Sequence, residues 1–169
     1  DALRGKEYTD ATFAQAVYSL SDYMQEYMAK EVLICADNSA ELVIVYFAAL
    51  FSGKVLIPID SEKEATEIER IKELHPSASF LNDDALHEIV GVRVDKSEMP
   101  SKLLWGQVDF GRPFLITYTS GSTGNPKGVR HTAANLFYSA YELGTMMKYN
   151  DHTIMGHVMP MTYMAGVLN

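Results

Sequence analysis

The sequence contains 169 residues, a length that predicts one domain with a sizeable core. Hydrophobic residues make up 47% of the chain and charged residues 21%, a balance that excludes a disordered polypeptide. Its 14 basic and 22 acidic residues give a net charge of −8. This charge argues against a nonspecific nucleic-acid-binding protein, because such a protein needs a basic face.

The only cysteine, Cys35, cannot form an internal disulfide and lies in the apolar run 32–36. We interpret it as a buried free thiol and expect a cytoplasmic protein. The longest uncharged apolar run, 42–51, is far shorter than the ~20 residues of a membrane-spanning helix. The sequence shows neither a signal peptide nor cysteine and histidine residues at metal-site spacing. We therefore expect no membrane span and no metal site in this chain.

Two apolar helices are predicted in the first third of the chain. The first begins at Thr9 or Asp10, because apolar residues then recur in steps of four and three. The second begins at Asn38 or Ser39 and ends at Gly53. It is apolar nearly all round, which predicts burial on most of its sides.

Three further helices are predicted. One follows a capping box formed by Ser61 and Glu64, ends at Pro76, and carries paired charges that are typical of a solvated face. A short helix is predicted over 83–89 and a long one over 132–148. The buried side of the long helix is predicted to consist of Leu136, Phe137, Ala140, Tyr141 and Met147.

Short apolar runs predict strands between these helices. They cover residues 31–36, 55–59, 78–81, 90–94, 114–118, 129–131 and 153–159. Pro58 places part of its strand near an edge or an end, because proline cannot donate to a central ladder. Strands separated by helices are typical of βαβ units, so we predict an α/β fold with a mostly parallel sheet and helices on both faces.

The segment 118–128 carries the chemistry. It holds three glycines, four Ser or Thr hydroxyls and one lysine directly after a predicted strand. Glycines let successive N–H groups point at one centre, the hydroxyls add donors, and Lys127 adds a positive charge. The combination is typical of a polyphosphate site. It differs from the common P-loop, because Pro126 precedes the lysine and Gly128 follows it. A hairpin loop of turn residues that binds nothing is the alternative.

Segment 118–129 resembles the signature loop of the adenylate-forming superfamily: acyl- and aryl-CoA synthetases, adenylation domains of peptide synthetases, and luciferase-like enzymes. Segment 48–60 is similar to an earlier part of that family, Asn135 matches a usual asparagine, and Pro160 and Gly166 match the ends of a later motif. The resemblance covers nearly the whole chain, in the expected order. It implies the opening part of the large N-terminal domain of such an enzyme.

This resemblance implies an ATP-dependent acid–thiol ligase. A carboxylic acid would attack ATP to give an acyl-adenylate and pyrophosphate, and coenzyme A or a carrier-protein thiol would then take the acyl group. Lys127 is the implied catalytic residue, because its charge would stabilise the leaving pyrophosphate. The implied phosphate-binding residues are Thr119, Ser120, Gly121, Ser122, Thr123, Gly124, Lys127 and Gly128.

Two positions depart from the family pattern. Ala133 and Ala134 stand where the family often has a histidine or arginine, and Tyr163 stands where it usually has a histidine. The resemblance implies that Tyr163 lines the acyl pocket near the carboxylate end of the substrate. An ordinary core tyrosine is an equal alternative.

Later segments of the family do not occur in the sequence, including its Tyr-Gly-x-Thr-Glu motif and its C-terminal lysine domain. We therefore expect residues 1–169 to form a partial N-terminal domain of a larger enzyme and to be inactive alone. The magnesium ligand and the adenine site are expected outside this chain. The alternatives are a nucleotide- or phosphate-binding module without turnover, and a remnant in which the loop is only a turn.

Without nucleotide, we expect the loop 120–128 to be exposed and mobile, because nothing apolar anchors it. His75 and His87 lie beside helix ends and are expected on the surface. His131 is expected at a strand end or in the core rather than against phosphate.

Overall fold

The computed structural model describes residues 5–93, 104–119 and 126–168 of the chain. Its strands form a five-stranded sheet in the order β3-β1-β2-β4-β5, in which β5 alone runs antiparallel to its neighbour. The strands are β1 (Glu31–Cys35), β2 (Val55–Ile59), β3 (Ser79–Asn82), β4 (Pro113–Thr119) and β5 (Lys127–Thr132). The predicted α/β fold with a mostly parallel sheet is confirmed.

Six α-helices precede, connect or follow these strands within the described ranges. They are α1 (Asp10–Tyr27), α2 (Ala40–Ser52), α3 (Ala65–Leu74), α4 (Asp83–Arg93), α5 (Ala133–Met146) and α6 (Met164–Leu168). Side-chain caps begin three of them: the hydroxyls of Thr9, Ser39 and Thr132 accept from the backbone N–H three residues on. Gly53 ends α2 in the left-handed conformation, with φ 76°.

The helices cover both faces of the sheet, as predicted. On one face, α1, α2 and α4 pack together over the sheet, and the first turn of α5 joins the same core. On the other face, Ile71 of α3 packs onto inward-facing strand residues. Those strand residues are Leu33, Val55, Ile57, Ile59 and Ile116.

The only tryptophan, Trp105, lies in a 3₁₀ turn (Leu104–Gln107) and joins two helices. Its ring packs edge-on against Phe51 of α2, with centroids 5.0 Å apart, and against Phe137 of α5, with centroids 5.9 Å apart. Aromatic pairs of this geometry stabilise helix packing beyond the area they bury. Trp105 therefore links the base of α5 to α2.

Two predicted strands are wrong. Residues 90–93 continue α4, because Leu86 and Val90 lie four positions apart and are both fully buried against the core. Residues 153–159 pair with none of the five strands and form no regular structure. Ile154 and Val158 are 98% and 84% exposed. A strand needs a ladder partner, and the described part of the chain provides none here.

The predicted capping box of α3 is also wrong. Glu64 occupies the N-cap position without a side-chain cap, and the Ser61 hydroxyl donates instead to Asp37 Oδ1, at 2.5 Å. Pro58 is predicted near an edge or an end of its strand; it lies in the interior strand β2, so the end is the alternative that the structure confirms. It is the fourth of five residues of β2, near the strand end.

Helix α5 is shorter than predicted and largely uncovered. Of its predicted buried side, Leu136 is buried, whereas Phe137, Tyr141 and Met147 are 39%, 70% and 55% exposed. A helical stripe shows which face is apolar but not whether another element covers that face. Within the described ranges, none of the helices combines the length and the apolar character that crossing a membrane requires.

Candidate functional site

The β4–β5 hairpin brings the two ends of the predicted phosphate loop together. Thr119, the last residue of β4, lies directly opposite Lys127, the first residue of β5. The Thr119 hydroxyl lies 3.5 Å from the Lys127 carbonyl oxygen, to which it donates. Both residues are exposed, so an ammonium group and a hydroxyl are available to a ligand at this end of the sheet.

The loop itself lies outside the described residues. This applies to the predicted phosphate-binding residues Ser120, Gly121, Ser122, Thr123 and Gly124, and to the expected mobility of the loop. Thr119, Lys127 and Gly128 are the members of the predicted set that the structure describes.

Alternation along the hairpin separates its residues onto two faces. Directly opposed residues of antiparallel strands share a face, and successive residues change face. Thr119 and Lys127 therefore share one face with Thr117 and His131, whose side chains are 3.0 Å apart. His131 is the last but one residue of β5, and burial lowers its pKa.

Gly128 lies opposite Tyr118 on the other face of the hairpin. A Cβ atom at Gly128 would meet Ile116 Cγ2 at 3.1 Å and Tyr118 Cζ at 3.2 Å, tighter than ordinary contact. The glycine therefore leaves room for the Tyr118 ring beside the backbone of β5. This packing explains why the lysine is followed by glycine rather than by a hydroxyl residue.

The prediction that His75 lies on the surface is wrong. Its side chain is only 10% exposed and lies between Glu31 and Tyr118. Nδ1 is 2.8 Å from Glu31 Oε2, and Nε2 is 2.6 Å from the Tyr118 hydroxyl oxygen. Burial, together with the negative charge of Glu31, raises the pKa of Tyr118.

The prediction is wrong for His87 as well. Its side chain is 16% exposed, and Nδ1 lies 3.6 Å from Oε2 of Glu41, a fully buried carboxylate in α2. Burial acts to raise the pKa of Glu41, but hydrogen bonds from Lys6 and Tyr8 outweigh it and hold that pKa below the usual value. This cluster ties the N-terminal segment to α2 and α4.

Tyr163 is tied to the carboxyl end of β2. Its hydroxyl donates to Oδ2 of Asp60 at 2.7 Å, and this hydrogen bond, with partial burial, raises the pKa of Tyr163. The side chain is 45% exposed, so one side of the ring is open. The described contacts of Tyr163 lead to Asp60 and Pro160 rather than to the hairpin.

The segment around Tyr163 is held by Asn38, a residue that sequence reasoning did not assign to the site. Asn38 Nδ2 donates to the Met159 carbonyl oxygen at 2.7 Å, and its Oδ1 accepts from the Met161 N–H at 2.9 Å. The available signal was position, because Asn38 follows β1 closely and polar residues there meet at the carboxyl edge of a parallel sheet.

The carboxyl edge divides by charge. Asp37, Asp60 and Asp83 follow β1, β2 and β3, whereas Lys127 lies beside the end of β4. A polyanion is therefore attracted to the hairpin and repelled by the rest of this edge. Across the described ranges, no three His, Cys, Asp or Glu side chains converge to hold a metal ion.

A protein family and several known proteins resemble this chain over most of its length. The family model of AMP-binding enzymes matches residues 2–169. A mitochondrial malonate–CoA ligase of Xenopus laevis is 28% identical in an alignment of 155 positions, which covers 80% of this chain and 27% of that protein. A D-alanine–D-alanyl carrier protein ligase of Listeria welshimeri is 27% identical in an alignment of 124 positions, which covers 63% of this chain and 24% of that protein.

Solved structures share the fold. The Klebsiella oxytoca NpsA N-terminal subdomain, in complex with 3-hydroxyanthranilyl-AMSN, matches with a TM-score of 0.76 and 19% identity over 96% of this chain and 43% of that one. ATP-bound MatB from Rhodopseudomonas palustris matches with a TM-score of 0.75 and 15% identity, over 98% and 37%. The chain spans about a quarter of the length of the malonate–CoA ligase and of the carrier protein ligase named above. With a family model matched from residue 2 to residue 169, the chain belongs to the AMP-binding enzyme family.

Proposed function

We propose that this chain supplies the phosphate-binding hairpin of an ATP-dependent ligase that activates a carboxylic acid and passes it to a thiol. The observation that carries the proposal is the pairing of Thr119 with Lys127 at the two ends of the Ser/Thr/Gly loop. The names of the two curated relatives, one a CoA ligase and one a carrier protein ligase, support this reaction class. The acceptor is coenzyme A or a carrier-protein thiol.

The proposed reaction has two steps, adenylate formation and transfer to the thiol. A carboxylate oxygen attacks the α-phosphorus of ATP, and the bond to pyrophosphate breaks, which leaves an acyl-adenylate. The thiol sulfur then attacks the acyl carbonyl, AMP departs, and the thiol proton is released. Lys127 acts in the first step, because its ammonium group stabilises negative charge that grows on the departing pyrophosphate. The Thr119 hydroxyl and the loop residues 120–124 hold the same phosphates.

Tyr163 forms one wall of the acid site in this proposal. Its hydroxyl is already engaged by Asp60, so the open side of the side chain presents an aromatic ring. The separation of charge along the carboxyl edge favours the polyphosphate at the hairpin, away from Asp60. The acid would then approach between the two.

We also propose that residues 1–169 are part of the N-terminal domain of a longer, cytoplasmic enzyme. Two observations support the greater length: the chain spans 27% and 24% of two curated relatives, and α5 exposes large apolar side chains. The adenine site and the magnesium ligand lie outside this chain in the proposal, and none of the reaction steps above assigns either to it. The chain alone does not form acyl-adenylate.

The test uses the full-length protein that carries this chain. Acid-dependent exchange of pyrophosphate into ATP, measured with a panel of carboxylic acids, is expected for the natural sequence. Lys127→Ala is expected to slow single-turnover adenylate formation about 10- to 100-fold, because a preorganised charge is lost. Lys72→Ala, which removes the same charge from the outer face of α3, serves as the matched control and is expected to retain the rate.

The outcomes separate the candidate functions. An unchanged rate in Lys127→Ala removes that residue from the mechanism. Nucleotide binding without acid-dependent exchange supports the non-catalytic binding module instead. If the protein shows neither nucleotide binding nor exchange, the loop is only a turn.

A further inference from the structure

Three polar side chains form a connected row behind the β4–β5 hairpin, on the α3 face of the sheet. His75 joins Glu31 at 2.8 Å through Nδ1 and the Tyr118 hydroxyl at 2.6 Å through Nε2. The His75 and Tyr118 rings also pack edge-on, with centroids 5.9 Å apart. Because only a tenth of the His75 side chain is exposed, water competes little for these hydrogen bonds.

Glu31 determines how His75 uses its two nitrogens. A carboxylate accepts hydrogen bonds, so Nδ1 carries the proton of this pair, and the tautomer with its proton on Nδ1 leaves Nε2 as an acceptor. The Tyr118 hydroxyl then donates to Nε2. The raised pKa of Tyr118 keeps that hydroxyl protonated and able to donate.

Tyr118 is held on two sides. Its hydroxyl is fixed by His75, and its ring lies beside Gly128, where a Cβ atom would come within 3.2 Å of Cζ. Tyr118 and Gly128 face each other across the hairpin, and the next pair is Thr119 with Lys127. The contact of its hydroxyl with His75 and the packing of its ring beside Gly128 connect the Tyr118 side chain to the strand pair that carries Thr119 and Lys127.

We infer that Tyr118, His75 and Glu31 position the phosphate-binding hairpin from the face opposite Lys127. The inference rests on the proposed function, and it deepens it by adding three positioning residues. None of them is catalytic, since Tyr118 faces away from the side that presents Lys127 and Thr119. Small displacements of a charged group weaken transition-state contacts more than ground-state binding, so the effect belongs to the rate of adenylate formation.

The first experiment measures single-turnover adenylate formation by the full-length protein at saturating ATP and acid. Tyr118→Phe keeps the ring and removes the hydroxyl, and it is expected to slow the reaction about five- to tenfold, the effect of one lost buried hydrogen bond. His75→Leu is expected to slow it equally, and His75→Gln to recover part of the rate, because an amide offers both a donor and an acceptor. The KM for ATP is expected to change less than kcat.

Tyr8→Phe is the matched control. Like Tyr118→Phe, it removes a tyrosine hydroxyl that donates a hydrogen bond. The acceptor is Glu41, at 2.9 Å, and the tyrosine lies in the N-terminal segment rather than at the hairpin. It is expected to lower the free energy of unfolding and to retain the rate of adenylate formation. Equal slowing in Tyr8→Phe and Tyr118→Phe would mean that the loss is one of general stability, and the inference would be overturned.

A double-mutant cycle with Lys127→Ala distinguishes positioning of Lys127 from a general effect on structure. If Tyr118 acts through the placement of Lys127, Tyr118→Phe slows the natural protein but adds nothing in the Lys127→Ala background. Independent, multiplying effects overturn the inference, and so does a natural rate in Tyr118→Phe; both leave the proposed function standing. A natural rate in Lys127→Ala itself overturns the proposed function and this inference with it.

Discussion

His131 shows how one side chain can make the stability of the hairpin depend on pH. It lies in β5, its Nε2 is 3.0 Å from the Thr117 hydroxyl, and burial lowers its pKa from the ordinary 6.5. The unfolded chain therefore takes up a proton near pH 6.5, and the folded chain takes it up only at lower pH. Between these pH values the unfolded state binds more protons.

We therefore predict that the free energy of unfolding falls as the pH is lowered below about 6.5, through the pKa of folded His131. His131→Gln keeps a polar partner for Thr117 and is expected to flatten this part of the pH profile. Urea unfolding at a series of pH values measures the effect. His152→Gln, at a side chain that is 90% exposed, is the control. An identical profile in His131→Gln and the natural protein would contradict the prediction.

The segment that follows the unpaired stretch 153–159 is built as a closed turn. The Pro160 carbonyl oxygen accepts from the Tyr163 N–H at 3.1 Å, and the Tyr163 carbonyl oxygen accepts from the Gly166 N–H at 3.0 Å. A Cβ atom at Gly166 would lie 2.1 Å from the Pro160 oxygen. The backbones of Pro160 and Gly166 thus approach each other so closely that residue 166 must lack a Cβ atom.

We predict that Gly166→Ala destabilises the protein by about 1–3 kcal/mol, because the new methyl group forces the turn apart. The displaced Tyr163 is expected to raise the KM for the acid more than the KM for ATP. Gly91→Ala is the matched control: Gly91 lies on the exposed side of α4 with nothing within 4 Å of its Cβ position, and alanine there is expected to stabilise by about 0.5–1 kcal/mol. Equal unfolding free energies for the two variants would refute this account of Gly166.

The alternation of strands and helices is predictable from the sequence up to residue 89, but the strand predicted to begin at Val90 is wrong. β-Branched residues favour strands on average, but burial four residues after Leu86 decides for helix here. The strand predicted over 153–159 depended on a partner that no local pattern reveals. The same reason explains the errors at His75, whose partners Glu31 and Tyr118 lie 44 and 43 residues away.

The candidate loop is recognisable in the sequence because its signal is local: the loop residues, Lys127 and Gly128 are consecutive, although the antiparallel pairing of β5 with β4 was not predicted. The contacts that hold the segment around Tyr163 are not local. Asn38 contacts Met159 and Met161, which lie 121 and 123 positions further along the chain. Asp60 contacts Tyr163 across 103 positions. Side chains that meet at a sheet edge can be assigned only once the strand order is known.

At the scale of the whole molecule, apolar surface collects in one stretch of the chain. Five large side chains between residues 138 and 158 are at least 70% exposed: Tyr138, Tyr141, Met146, Ile154 and Val158. An apolar cavity of about 210 Å³ lies beside them, between α2, α5 and α6, lined in part by Phe47, Phe137 and Met161. Surfaces of this kind are rarely left open to water in stable monomers.

We predict that residues 1–169 expressed alone bind a hydrophobic dye such as ANS and self-associate as concentration rises. Replacing Tyr141, Ile154 and Val158 together by serine is expected to reduce both effects, which dye fluorescence and sedimentation velocity measure. Leu74→Ser, at a leucine that is 56% exposed on α3, is the control and is expected to change neither. A monodisperse chain that binds no dye would contradict the prediction.

The place of Trp105 between Phe51 of α2 and Phe137 of α5 has a practical consequence. The emission of an indole shifts with the polarity around it, and Trp105 is the only indole in the sequence. Its emission wavelength, and its quenching by iodide or acrylamide, therefore report on a single junction. Trp105 is therefore an intrinsic fluorescent probe of the packing of α5 against α2, and it requires no ligand, label or turnover.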